Sequence, residues 1–144
     1  MIESDTIKLL RECDAGIKMG VTSIDEVMEY AHHEKLRNAL SNCKKEHEKL
    51  KEEIQSFLDK YQDEGKDPNP MAKGMSWMKT NMKLSINDSD KTIADLITDG
   101  CNMGVKSLCR YLNQYEATDE QSKNIAKRLI HLEEQLVIEL QPFL

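Results

Sequence analysis

Hydrophobic residues recur every three or four positions along most of this chain, which is the spacing of one face of an α-helix. The first such stripe comprises Ile7, Leu10, Asp14, Ile17, Val21, Ile24 and Met28. It predicts a helix of about 25 residues that begins after a cap at Ser4-Asp5-Thr6. The second stripe follows a predicted turn at 31–34 and comprises Leu36, Leu40, Cys43, His47, Leu50, Ile54, Phe57 and Tyr61.

Two segments of different composition follow the second predicted helix. Residues 62–70 are rich in Gly, Asp, Asn and Pro, which is typical of a loop. Methionine then recurs at helical spacing, and this predicts a third, shorter helix with a stripe of Met71, Met75, Met78, Met82 and Ile86. A Met stripe of this kind usually belongs to a core, although it also suits a soft groove for a partner.

Two further stripes predict a second pair of long helices. They comprise Ile93, Ile97, Cys101, Gly104, Leu108, Tyr111 and Tyr115, and then Ile125, Leu129, Leu132, Leu136 and Leu140. Because short turns make paired helices antiparallel, we expect two hairpins, at 5–62 and 89–141. Residues 63–88 would then form a crossover along the bundle, which makes the fourth helix parallel to the second.

Composition agrees with a single all-helical domain over residues 1–144. The chain has one domain's length, and its 5% aromatic content and three prolines argue against a sandwich or barrel. The formal charge of −6 disfavours nucleic acid as a partner, since phosphate binding needs a basic face. No apolar run approaches the roughly 18 residues of a membrane span, and the acidic N-terminus does not resemble a signal peptide. We therefore expect a cytoplasmic protein whose four cysteines are thiols.

A short internal repeat links the first helices of the two hairpins. Residues 16–21 read GIKMGV and residues 100–105 read GCNMGV, so four of six positions match. Each repeat is a Gly-x-x-x-Gly step, which lets another helix approach closely at a cost of about 1 kcal/mol per glycine in helix propensity. The match is compatible with an internal duplication.

Two hairpins joined by a long crossover, with Asp14-Ala15-Gly16 at mid-length of the first helix, resemble the ferritin-like superfamily. The resemblance is to its small stand-alone bacterial members of unassigned function. It implies a ferritin-like antiparallel four-helix bundle with a short fifth crossover helix. Metal-binding members supply a Glu from each of two helices and Glu-x-x-His from the other two, all at mid-height. Here the Glu-x-x-His at residues 29–32 lies at a helix end, so we do not expect a di-iron centre.

Three ionisable residues nevertheless occupy core positions at a similar predicted height, namely Asp14, His47 and Glu133. Buried charges are costly unless paired, so we expect these residues to meet each other or a ligand. The favoured interpretation is a polar layer in which His47 bonds to Asp14 or Glu133. The other is an iron or manganese site, because one imidazole and two carboxylates match the ligands of non-haem iron. A carboxylate beside His47 should raise its pKa above about 6.5.

These observations favour a non-catalytic binding or structural module with a degenerate metal site and no resident cofactor. One alternative is a metal-dependent oxidoreductase or iron-handling protein that uses the three central residues. A third is a helical adaptor that binds a partner helix along the Met-rich third helix. No Ser-His-Asp order, phosphate loop or dinucleotide motif points to an enzyme. We also expect a homodimer, because the Met-rich helix has an apolar face to cover.

Overall fold

The computed structural model of the protein describes residues 4–68 and 88–144, and helices are the only regular secondary structure in these ranges. Helices α1 to α4 span Asp5–Met28, Glu34–Lys60, Ser89–Gln114 and Glu120–Leu140, and a short 3-10 turn, Gln141–Phe143, follows. The four long helices predicted from the sequence are therefore confirmed. The predicted helix at 71–86, which would be the fifth helix of the bundle, lies outside the described residues. No helix in the described ranges is long and apolar enough to cross a membrane.

Three of the helices begin where a polar side chain accepts a hydrogen bond from a free backbone N–H group. Ser4 accepts from Ile7 at the start of α1, and Asp119 accepts from Ser122 at the start of α4. At the start of α2 the His33 side chain accepts from the Lys35 N–H. These caps satisfy donors that have no partner within the helix, and they fix where each helix begins.

Hydrogen bonds between side chains and backbone join the two hairpins at both ends of the bundle. At one end the Asp90 carboxylate accepts from the N–H groups of His32 and His33, at 2.7 and 3.0 Å. At the other end the Asp5 carboxylate accepts from the Ala117 N–H at 3.0 Å. Helix α3 thus begins beside the α1–α2 turn and ends beside the start of α1. It runs parallel to α2, as the crossover prediction requires.

The hydrophobic core consists of two clusters, one toward each end of the bundle. The cluster near the α1–α2 turn includes Ile24, Leu36, Leu40, Ile93, Ile97, Leu136 and Leu140. The cluster near the opposite end includes Leu10, Ile17, Leu50, Ile54, Leu108, Ile125 and Leu129. All four helices contribute to both clusters, so the boundary between them crosses the bundle at mid-length.

After α2 the chain folds back onto α1 through residues 63–67, which we call the return segment. Asp63 at its start binds Arg11, and Asp67 at its end lies 3.3 Å from the Lys18 ammonium. Arg11 and Lys18 are seven positions apart on α1, which corresponds to about 10 Å along the helix axis. Gly65 has a φ of 86°, a left-handed conformation that glycine adopts without strain. The return segment therefore directs the chain along α1 toward the end where α3 begins.

Candidate functional site

A layer of four residues, one from each helix, lies at mid-length between the two core clusters. Its members, the middle layer, are Gly20 on α1, His47 on α2, Gly104 on α3 and Glu133 on α4. A Cβ at Gly20 would lie 3.3 Å from the His47 ring, and one at Gly104 would lie 3.7 Å from Glu133 Oε2. The two glycines thus leave room for the two larger polar side chains, so the core is interrupted by an ion pair rather than filled with apolar groups.

His47 is held between a carboxylate and a backbone carbonyl. Its Nε2 lies 2.9 Å from Glu133 Oε1, and its Nδ1 lies 2.8 Å from the Cys43 carbonyl oxygen. The carbonyl oxygen can only accept, so Nδ1 donates to it, and Nε2 donates to Glu133 when that carboxylate is ionised. The arrangement therefore suits an imidazolium paired with a carboxylate, in which the His47 side chain is 2% exposed and that of Glu133 is 13% exposed.

This environment changes the acidity of both His47 and the neighbouring thiol of Cys101. Burial disfavours the charged imidazole, but interactions with the Cys43 side chain, whose Sγ lies 3.4 Å from Nδ1, and with Glu133 outweigh it and raise the pKa of His47 to about 10. Burial and the Glu133 carboxylate raise the pKa of the Cys101 thiol well above its usual range. At neutral pH the site therefore holds a protonated imidazole and a protonated thiol. The raised pKa of His47 agrees with the expectation from its position in the sequence.

A groove of about 840 Å³ opens above the middle layer, between α1 and α3. Its floor includes His47, Glu133 and Cys101, and the return segment lines one side through Lys66 and Asp67. The walls carry the apolar residues Ile24, Leu96, Ile97, Leu108, Leu129 and Leu136, together with Gly16, Gly20, Gly100 and Gly104. This volume lies within the range of about 300–1,000 Å³ that is typical of small-molecule sites, which are also mostly apolar with a few polar groups.

The four wall glycines have two different environments. Gly20 and Gly104 face the ion pair, as described above, whereas Gly16 and Gly100 have no atom of residues 4–68 or 88–144 within 4 Å of the position that a Cβ would occupy. Both Gly-x-x-x-Gly steps therefore face the groove that separates α1 from α3. Packing among the described residues accounts for Gly20 and Gly104, whereas no described residue packs on the Cβ positions of Gly16 and Gly100.

Asp14 is not part of the middle layer. On α1 it precedes Gly20 by six residues, which places it about 9 Å away along the helix axis. The carboxylate is 0% exposed because the return segment covers it. Asp14 Oδ2 accepts from the Lys66 N–H at 3.0 Å and lies 2.8 Å from Lys18 Nζ, while Oδ1 has no partner among the described atoms. Of the three residues singled out in the sequence, the structure brings together His47 and Glu133, and Asp14 instead anchors the return segment.

The three candidate metal ligands Asp14, His47 and Glu133 do not come together in the described structure. Thiol, imidazole and carboxylate groups are all present around His47, and all are possible ligands of a transition metal. However, both nitrogens of His47 are engaged in hydrogen bonds, and Asp14 lies too far along α1 to join them. Within residues 4–68 and 88–144 no group of three or more His, Cys, Asp or Glu side chains is placed to hold a metal ion.

Two features of the site were not anticipated from the sequence. The groove was not predicted, although the repeated Gly-x-x-x-Gly step was its signal: both copies line the groove. The sequence predicts the return segment only as a loop, although Asp63 and Gly65 are typical residues of a tight turn.

Comparisons of the chain with protein-family models, with curated proteins and with solved structures found no match.

Proposed function

We propose that this protein is a non-catalytic binding protein that takes a ligand into the groove between α1 and α3. The observation that carries the proposal is a mostly apolar groove of about 840 Å³ among the described residues, whose floor is the ion pair of buried His47 and partly buried Glu133. A mostly apolar pocket with a few convergent polar groups is the usual form of a small-molecule site. The helices around it supply a rigid frame, since both hairpins are tied together at each end of the bundle.

The protonation states of His47 and Cys101 support binding rather than catalysis. A general base works best with a pKa near the operating pH, whereas His47 has a pKa of about 10 and is already protonated at neutral pH. A cysteine nucleophile must be a thiolate, whereas burial keeps Cys101 as a thiol. His47 and Cys101 are therefore not activated as a general base or as a nucleophile.

The experiment is a fluorescence titration of the full chain with N-phenyl-1-naphthylamine, an uncharged apolar probe that brightens on leaving water. We expect saturable binding to the wild-type protein. Gly100→Leu should weaken binding at least tenfold, because its side chain would project into open groove space without displacing any described neighbour. Asn102→Leu is the matched control, since Asn102 lies on the same helix, is exposed and does not line the groove. It should bind the probe as the wild type does.

Two results would contradict the proposed function. Absence of saturable probe binding, or equal binding by Gly100→Leu and Asn102→Leu, would show that the groove is not a ligand site. Metal analysis of protein purified without chelator provides the other test. Near-stoichiometric iron or manganese that is lost in His47→Ala would instead support a metal-dependent oxidoreductase or iron-handling protein.

A further inference from the structure

The described contacts that hold the return segment on α1 are ion pairs and hydrogen bonds. None of residues 63–67 is buried, and none of them belongs to either hydrophobic cluster or packs against one. Burial of apolar surface is the main force that fixes a segment in a fold, and the return segment has little of it. Its position on α1 therefore depends on charges that lie close to water.

Three ion pairs join the return segment to α1, and their polarity alternates along the helix. The helix supplies a cation, then an anion, then a cation, and the return segment supplies the opposite charge each time. At least one side chain of every pair is more than a third exposed, so each pair is weak on its own and is screened by salt. The pairs are Arg11–Asp63, Glu12–Lys66 and Lys18–Asp67.

The Lys18 ammonium is the centre of this arrangement, because it lies among oxygens of both α1 and the return segment. Its Nζ is 2.8 Å from Asp14 Oδ2, 3.3 Å from Asp67 Oδ1 and 3.4 Å from the Lys66 carbonyl oxygen. An ammonium has three hydrogens to donate, and these three oxygens can accept them. Lys18 thus pairs with the buried carboxylate of Asp14 and holds the return segment over it with the same group.

Closure of the return segment buries the Asp14 carboxylate at a cost. Asp14 is 0% exposed, and its Oδ1 has no partner among the described atoms. Burial of a carboxylate oxygen without a hydrogen bond is unfavourable, and withdrawal of the segment would return water to it. Weak ion pairs therefore favour the closed position, and desolvation opposes it. Segments with few apolar contacts and solvent-accessible hydrogen bonds are those that open locally while the helices stay folded.

We propose that the return segment is a strap that opens and closes on α1, latched by the Lys18 ammonium and released by salt. Opening uncovers Asp14 and displaces Lys66 and Asp67, which line one side of the groove. The strap thereby makes that side of the molecule responsive to ionic strength. The motion requires no ligand, so it is independent of whether the groove binds one.

The test is amide hydrogen exchange of the full chain by NMR at about 10 mM and about 1 M NaCl, between which the Debye length falls from about 30 Å to about 3 Å. The reporter is the Lys66 N–H, which donates to Asp14 in the closed strap. Relative to an unstructured peptide, we expect it to exchange at least tenfold faster at the higher salt. The control is the Ala117 N–H, which donates to the Asp5 carboxylate at the same distance of 3.0 Å. Its exchange should change less than twofold.

A substitution at Lys18 tests the latch directly. Lys18→Met removes the charge and keeps most of the side-chain length, so at low salt the Lys66 N–H should exchange at least tenfold faster than in the wild type. The effect of salt on this amide should then be less than threefold. Lys44→Met is the matched control, because Lys44 also lies between two carboxylates, those of Asp25 and Glu48, but on α2. It should leave exchange at Lys66 unchanged.

Three outcomes would overturn the strap. The first is a Lys66 N–H that is not protected at low salt, and the second is acceleration by salt that is no greater than at Ala117. Both are measured on the wild-type protein, so they do not depend on the folding of a variant. The third is exchange at Lys66 that is the same in Lys18→Met as in the wild type.

Discussion

His47 and Asp14 are both buried ionisable residues, but they are stabilised by different parts of the chain. His47 pairs with Glu133, which is on another helix and 86 positions away in the sequence. Asp14 pairs with Lys18, one turn along the same helix, and with the backbone of Lys66 in the return segment. Substitutions at His47 therefore test the contact between helices, and those at Asp14 test how the return segment is held.

The pH dependence of stability should report the His47–Glu133 pair. The folded pKa of His47 is raised from about 6.5 to about 10, so its contribution is fully present below pH 6.5 and is lost as pH rises through 10. We expect the free energy of unfolding to fall by on the order of 2–4 kcal/mol across this window. The His47→Leu/Glu133→Leu variant should show a flatter profile, because replacing a buried pair with apolar groups removes its titration. Urea denaturation at several pH values measures this, and identical slopes for the two proteins would contradict it.

Two glycines should respond to alanine in opposite directions. At Gly65 the φ of 86° is strained for alanine, and a Cβ would collide with the Asp14 carboxylate. Gly65→Ala should therefore destabilise the protein by about 1–3 kcal/mol. At Gly16, in the middle of α1, a Cβ would have no described atom within 4 Å, so Gly16→Ala should stabilise the protein by about 0.5–1 kcal/mol through helix propensity. Chemical denaturation of both variants is the measurement, and a change of the same sign in both would refute the explanation.

At the scale of the helices, two aspartates at the start of α3, Asp88 and Asp90, have different roles. The sequence suggests that the polar run at residues 87–90 caps this helix. Asp88 occupies the N-cap position but makes no capping hydrogen bond with its side chain. Asp90 instead accepts from the backbone of His32 and His33, in the turn between α1 and α2. This carboxylate therefore ties one hairpin to the other, a role that the local sequence does not reveal.

We expect Asp90→Ala to be more harmful than Asp88→Ala. The first substitution leaves two backbone N–H groups without their acceptor, and it should cost about 1–2 kcal/mol. The second removes a side chain with no capping bond and should cost only a few tenths of a kcal/mol. Amide hydrogen exchange should also become faster at His32 and His33 in Asp90→Ala alone. Equal loss of stability in the two variants would contradict the role given to Asp90.

At the scale of the whole molecule, much of the fold followed from the sequence and much of the site did not. Apolar periodicity located four long helices, and the stripe positions of His47 and Glu133 placed both at the same level of the bundle. Periodicity specifies which face of a helix is buried, but not which segment covers it. Asp14 was therefore placed correctly in the interior, while its actual neighbour, the return segment, could not be identified.

Assembly is a separate prediction at this scale. We propose that the chain forms a homodimer, and part of the described surface is compatible with this, since Met103 and Ile138 are large apolar residues that are more than half exposed. Light scattering at roughly 100 μM, a concentration at which even a weak dimer is populated, should give twice the mass of one chain. A measured mass equal to that of one chain would contradict the proposed homodimer.

The division of the core into two clusters has a consequence for how mutational effects combine. Ile24 and Ile54 belong to different clusters, and the middle layer lies between them. Free-energy changes at sites that share no neighbours add, so Ile24→Val and Ile54→Val together should equal the sum of their separate effects to within about 0.5 kcal/mol. Leu40→Ala and Leu136→Ala lie in one cluster and should depart from additivity by more than that. In thermodynamic terms, the bundle should behave as two weakly coupled halves stacked end to end, so that each half can accumulate substitutions with little effect on the other.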